Sequence, residues 1–114
     1  MPHKLRIDIT PTDHVTAVAY PVASGSRHQA TYILAHGAGG NQLSPWIVQF
    51  ATAAAARGIA VVTFNFLYSE QGRGLPDKND KLEACWRKVV EAWHDGAFAK
   101  SLGKSSGPLI IGGK

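Results

Sequence analysis

Tyr32-Ile-Leu-Ala-His-Gly-Ala-Gly-Gly-Asn41 is a short apolar run that breaks abruptly into glycines. The run predicts a buried strand over 30–35. The glycines after it let the backbone turn sharply and bring bare N–H groups close to a ligand. Ser44-Pro45 then supplies an N-cap and a first-turn proline, ahead of Trp46, Ile47, Phe50, Ala53 and Ala54 at helical spacing. Gly58 stands where that helix, 45–57, should stop in a left-handed cap. The run 59–66 is again continuously apolar and rich in β-branched and aromatic residues, so strand, helix and strand make a parallel βαβ unit. In open parallel sheets reactive centres lie at the carboxyl ends of strands, which makes 36–41 the first place to look for chemistry.

Working outward, Leu5, Ile7 and Ile9 alternate with Lys4, Arg6 and Asp8, the period of a half-solvated strand. A turn at 11–13 and a second run, 15–22, make the opening an antiparallel hairpin. On the other side, 67–79 carries glycines, a proline and mixed charges and reads as an exposed loop. Asp80 and Glu83 have the spacing of a capping box for a second helix. Leu82, Cys85, Trp86, Val89, Val90, Trp93 and Ala97 form its wide apolar stripe. After a loop at 96–107, the run Pro108-Leu-Ile-Ile111 again ends in glycines, Gly112 and Gly113. The expected fold class is α/β, a three-layer α/β/α arrangement with an opening antiparallel hairpin followed by parallel strands and crossover helices.

A chain of 114 residues, 45% hydrophobic and 18% charged, fits one ordinary globular domain, and a small one for a sheet covered on both faces. The net charge of +4 is scattered, with Arg87-Lys88 the only adjacent basic pair, so no stripe for nucleic acid is present. The lone Cys85 has no internal disulfide partner, and the first residues lack an apolar segment. Secretion and membrane insertion therefore have no support, and a cytoplasmic setting is expected.

Other readings of the glycines fail on specific positions. A dinucleotide fingerprint needs a third glycine where Gln42 stands and an acidic residue where Asn65 and Phe66 close the next strand. A phosphate-binding loop ending at Gly103-Lys104-Ser105 would need glycine at Phe98. His3, His14, His28, His36 and His94 show no metal-ligand spacing, and Cys85 sits on an apolar helix face, so neither a metal nor a cofactor is expected. Trp86 and Trp93 share one helical face and read as core. Asn41, Asn65 and Tyr68, with Ser69 and Glu70, follow strand ends and are candidates to line a cleft.

The whole succession resembles the first half of an α/β-hydrolase: hairpin, strand to HGAGGN, helix, strand ending FNF, Gly/Arg/Pro loop, helix, and strand ending GGK. Within that fold it is most similar to dienelactone-hydrolase-like proteins, and more narrowly to the KANSL/Tex-type α/β-hydrolase-like family, in which the GGK strand runs into Ser-Met-Gly-Gly. The resemblance implies that residues 1–114 are the N-terminal portion of one incomplete hydrolase domain. Gly113 and Lys114 would begin the nucleophile elbow, with the serine immediately after. His36, Gly37, Ala38, Gly39 and Gly40 would form the oxyanion loop, with a backbone N–H at Ala38, supported by Gly39, facing the developing charge.

The implied function is a serine-dependent hydrolase acting on a small-molecule ester or similar acyl substrate. The chain by itself would be inert, because nucleophile, acid and catalytic histidine would lie outside it. A non-catalytic interaction module on the same fold is the alternative. With its last strand left as an uncovered edge, the chain is also expected to self-associate.

Overall fold

A computed structural model describes residues 2–23, 25, 27–103 and 107–113. The opening hairpin pairs β1 (His3–Asp8) with β2 (His14–Tyr20) antiparallel, Ile7 opposite Val15. The turn closes through the Ile9 N–H on the Asp13 carbonyl at 2.9 Å. β3 (Ala30–Ala35), α1 (Pro45–Ala56) and β4 (Ile59–Phe64) form the parallel unit, with Ala35 opposite Phe64. Then come α2 (Leu67–Glu70), α3 (Asn79–His94), α4 (Ala99–Leu102) and β5 (Leu109–Gly113). The sheet order is β1-β2-β4-β3-β5, and β5 pairs parallel to β3 at one edge.

Alternation along the strands divides the interior into two layers. Ile33, Val62 and Phe64 pack on one face with Cys85 and Val89 of α3. Leu34 and Val61 pack on the other with Ile47, Ala51 and Ala55 of α1. Because β3 and β4 are covered on both sides, their sequences are continuously apolar rather than alternating. The layers are therefore α/β/α, as expected. Trp86 and Trp93 lie partly buried against the α3-side core, and the Trp86 ring meets Phe64 edge to face at 5.1 Å.

Several local expectations needed correction. β4 ends at Phe64, two residues early, because the chain turns into α2 within the segment 67–79 that had been expected to be all loop. Likewise α4 interrupts the loop expected at 96–107. α3 starts at Asn79 with Lys78 as its cap residue and no side-chain cap, so Asp80 and Glu83 do not form a capping box. Glu83 instead lies 3.9 Å from Arg87, one turn on. Ser44 does occupy the N-cap position of α1, but its hydroxyl donates to the Asn41 carbonyl at 2.8 Å and caps nothing in the helix. Gly58 has φ +92°, the left-handed stop anticipated after α1. Trp46 and Phe50 of α1 stack at 5.4 Å and are partly solvent-exposed, and the Phe50 ring also meets Tyr32 of β3 edge to face at 5.8 Å.

Candidate active site

The parallel register puts Ala35 level with Phe64 on one side and Gly113 on the other, so the chain leaves three strands at one rim of the sheet. The glycine loop sits at that rim. Its core is a reverse turn, closed by the Gly40 N–H on the Gly37 carbonyl at 3.0 Å. Gly39 has φ +76°, whereas no non-glycine residue among those described has positive φ. Positive φ at the third position with negative φ at Ala38 in the second is a type II turn, which selects glycine at position 39.

His36 anchors this turn. Its Nε2 accepts from the Phe66 N–H at 3.1 Å, and a backbone amide can only donate. The proton is therefore assigned to Nδ1, which donates to the Gly37 carbonyl at 2.8 Å. Burial pushes the imidazole pKa below its ordinary value, opposed in part by the bond to the Gly37 carbonyl, so the neutral ring is the favoured form. With both nitrogens engaged, His36 is a structural post rather than a free base.

That post aims a donor. The Gly37 carbonyl receives two bonds, from His36 and from Gly40. In a planar trans peptide the C=O and the next N–H point in opposite directions, so clamping the Gly37 oxygen inward turns the Ala38 N–H outward. Ala38 is exposed, and its amide meets no acceptor among the described residues. The Gly39 N–H behaves differently: it donates to Tyr68 Oη at 3.2 Å.

The rest of the loop is shaped by the residues after β4. Ser69 Oγ donates to the Gly40 carbonyl at 2.9 Å, and the Gln42 N–H donates to Asn65 Oδ1 at 2.9 Å. Residues 65, 66, 68 and 69 thus hold 42, 36, 39 and 40 in turn. Gln42, 3% exposed, extends inward, with Nε2 donating to the Thr16 carbonyl at 2.9 Å and Oε1 accepting from Thr63 Oγ1 at 2.7 Å. Glu70 accepts from the Thr16 N–H at 2.7 Å and the Thr16 hydroxyl at 2.9 Å, and from Asn65 Nδ2 at 3.3 Å. Glycine-rich backbone is thereby fixed by a fully engaged polar lattice behind it.

Of the residues nominated as cleft lining, Asn41 is exposed at the rim, where its Oδ1 accepts from the Leu43 N–H at 2.8 Å. Asn65 is half-buried and faces the loop through Gln42. Tyr68 is 2% exposed and lies beneath the turn, its ring against His36 and Phe66, so it lines no open cleft. Gly113 ends β5 at the same rim, and Lys114 lies outside the described residues. The sequence reading passed over Gln42 and Glu70 as loop-holding residues. The signal for Gln42 was Thr63, a lone hydroxyl in a strand buried on both faces, which demands a partner.

The model of a family described as an α/β hydrolase domain matches residues 28–114. Among solved structures, an α/β serine hydrolase without lid from Xanthomonas campestris is 23% identical, with a TM-score of 0.74 over 98% of this chain and 50% of its own. A serine hydrolase homologue from Coxiella burnetii is 17% identical, TM-score 0.69, over 97% and 50%. Est1E from Butyrivibrio proteoclasticus is 16% identical, TM-score 0.71, over 96% and 39%. The chain therefore spans half or less of the length of these structures, and at such identities the likeness is one of fold. No curated protein matches the sequence. Among the described residues no helix is long and apolar enough to cross a membrane.

Proposed function

The chain belongs to the α/β hydrolase domain family, and from that premise we propose that it supplies the oxyanion-binding half of a serine-dependent hydrolase for small-molecule esters or similar acyl compounds. The observation that carries this reading is the outward Ala38 N–H, held by the His36 and Gly40 bonds to the Gly37 carbonyl. A preorganised amide of this kind stabilises the charge that develops on an acyl oxygen and loses nothing to reorganisation during the reaction. In this reading the nucleophile follows Gly113 and Lys114. Ser44 and Ser69, which flank the loop, spend their hydroxyl protons on backbone carbonyls, and among the described residues neither hydroxyl bonds to a basic side chain. No cofactor is required, and a cytoplasmic setting belongs to the same proposal.

The chain of 114 residues should show no hydrolysis of p-nitrophenyl acetate above buffer. A protein that continues past Lys114 into a complete domain should be labelled by a fluorophosphonate at the serine that follows. Turnover by the 114-residue chain that disappears in a serine-to-alanine variant would overturn the assignment of the nucleophile. A folded complete domain that resists the probe would favour a non-catalytic interaction module on the same fold.

A further inference from the structure

Tyr68 is an aromatic residue buried under the most exposed part of the candidate site, and its one polar atom faces the turn's backbone. Its hydroxyl oxygen accepts from the Gly39 N–H at 3.2 Å while Ala38 and Gly39 themselves are exposed. The ring that carries it is locked. It stacks on Phe66 with an interplanar angle of 9° and meets His36 edge to face at 5.9 Å, and His36 is in turn tied to the Phe66 N–H.

A type II turn differs from a type I turn by the flip of its central peptide, here the one joining Ala38 to Gly39, and the flip can leave the closing bond from Gly40 to Gly37 intact. Glycine at position 39 tolerates both forms, since it has no preference for the sign of φ. Nothing in the turn itself therefore chooses between them. An acceptor fixed beneath Gly39 does choose, because it keeps the Gly39 N–H inward for as long as the bond holds.

We propose that Tyr68 is a positioning residue that selects the type II form of the 37–40 turn, withholding the Gly39 N–H from an acyl oxygen and leaving Ala38 as the donor this loop presents. The oxyanion role rests on the hydrolase reading above, whereas the selection of the turn does not. The loop then contributes one N–H, and any second donor comes from another segment. Orientation matters because an oxyanion donor works only when aimed at the position the charged oxygen will occupy.

Two measurements separate the selection of the turn from its catalytic consequence. In the 114-residue chain, amide exchange by NMR should be slow at Gly39 and fast at Ala38. Y68F, which keeps the ring and removes only the oxygen, should make Gly39 fast and leave Ile33 and Val62 protected. If Y68F does not fold, 3-fluorotyrosine incorporation, which weakens the hydroxyl oxygen as an acceptor, should move the Gly39 amide proton upfield. Fast exchange at Gly39 in the parent chain, equal exchange in Y68F, or no shift with fluorotyrosine would overturn the proposal.

In a complete, probe-reactive hydrolase carrying this segment, Y68F should lower kcat roughly ten-fold with KM unchanged, since a donor held less firmly costs transition-state stabilisation and not ground-state binding. An unchanged kcat alongside a freed Gly39 would overturn the positioning role. A parent protein with neither probe labelling nor turnover would instead refute the hydrolase reading, and the exchange experiment would still decide whether Tyr68 holds the turn.

Discussion

Replacing Gln42 and Thr63 singly and together tests whether the polar lattice behind the loop holds as drawn. Thr63 Oγ1 donates to Gln42 Oε1 at 2.7 Å, with Thr63 fully buried and Gln42 3% exposed. Q42L removes this acceptor and the bond from Nε2 to the Thr16 carbonyl. That carbonyl retains the Asn65 N–H at 3.2 Å, but the Thr63 hydroxyl is stranded. A net hydrogen bond contributes about 0.5–1.5 kcal/mol, and a stranded buried polar group costs about 1–3 kcal/mol, so Q42L should destabilise by about 2–4 kcal/mol. T63V keeps the shape of the side chain and strands Gln42 Oε1 instead, at about 1–3 kcal/mol. The double variant leaves neither group stranded, so both stranding penalties drop out against the loss of one net bond, and it should cost about 2–4 kcal/mol less than the sum of the singles. Urea unfolding followed by tryptophan fluorescence, to which Trp86 against the core ring of Phe64 contributes, reads these values as midpoint shifts at constant slope. A coupling below about 0.5 kcal/mol would refute the bond and with it the account of how the loop is braced.

Three further expectations follow from particular residues. Burial lowers the His36 pKa, so the unfolded chain takes up that proton at higher pH than the folded one. The stability this group contributes should be complete above about pH 6.5 and lost as pH falls through the folded value, with a slope of at most about 1.4 kcal/mol per pH unit that His36→Phe abolishes; an identical pH profile in that variant would contradict it. Gly58→Ala meets a φ of +92° and places its Cβ 2.6 Å from the Arg27 carbonyl oxygen, so a loss of more than about 1 kcal/mol is expected by thermal or urea melts, and a neutral change would show that the turn adapts. Ile110 and Ile111, 42% and 57% exposed on opposite faces of the edge strand β5, should drive self-association at tens of micromolar that Ile111→Lys weakens in sedimentation, whereas a monomeric parent chain would exclude it.

The order of elements was legible because the decisive residues act locally. Continuous apolar runs mark β3 and β4, the stripe from Leu82 to Trp93 marks α3, and Gly58 marks the end of α1. What escaped was set at a distance. Four residues, Leu67 to Glu70, are too few to show helical periodicity, and α2 instead matches the bonds of Glu70 to Thr16, 54 positions away, and of Ser69 to Gly40. The capping box at Asp80 failed for the opposite reason, since the spacing was present but the cap position fell two residues earlier, at Lys78, and left it unused. At the loop, the glycines announced a close approach of backbone, yet which amide faces outward depended on His36, Tyr68 and a turn type that composition does not encode.

A glycine-rich loop is the element least able to hold itself, because each ordered residue costs about 1–2 kcal/mol of backbone freedom and glycine has the most to lose. Here that cost is met from outside the loop. The segment after β4 provides an amide at Phe66, a carbonyl oxygen at Asn65 and hydroxyls at Tyr68 and Ser69, each matched to a different loop residue. Glu70 then fastens that segment to β2 through Thr16. The direction of the Ala38 N–H is thus fixed from outside the loop, by the segment that runs from the end of β4 into α2 and by β2 behind it. A rigid donor at the sheet rim is consequently a property of the packed hairpin and βαβ unit together, and the glycine sequence alone would leave it undirected.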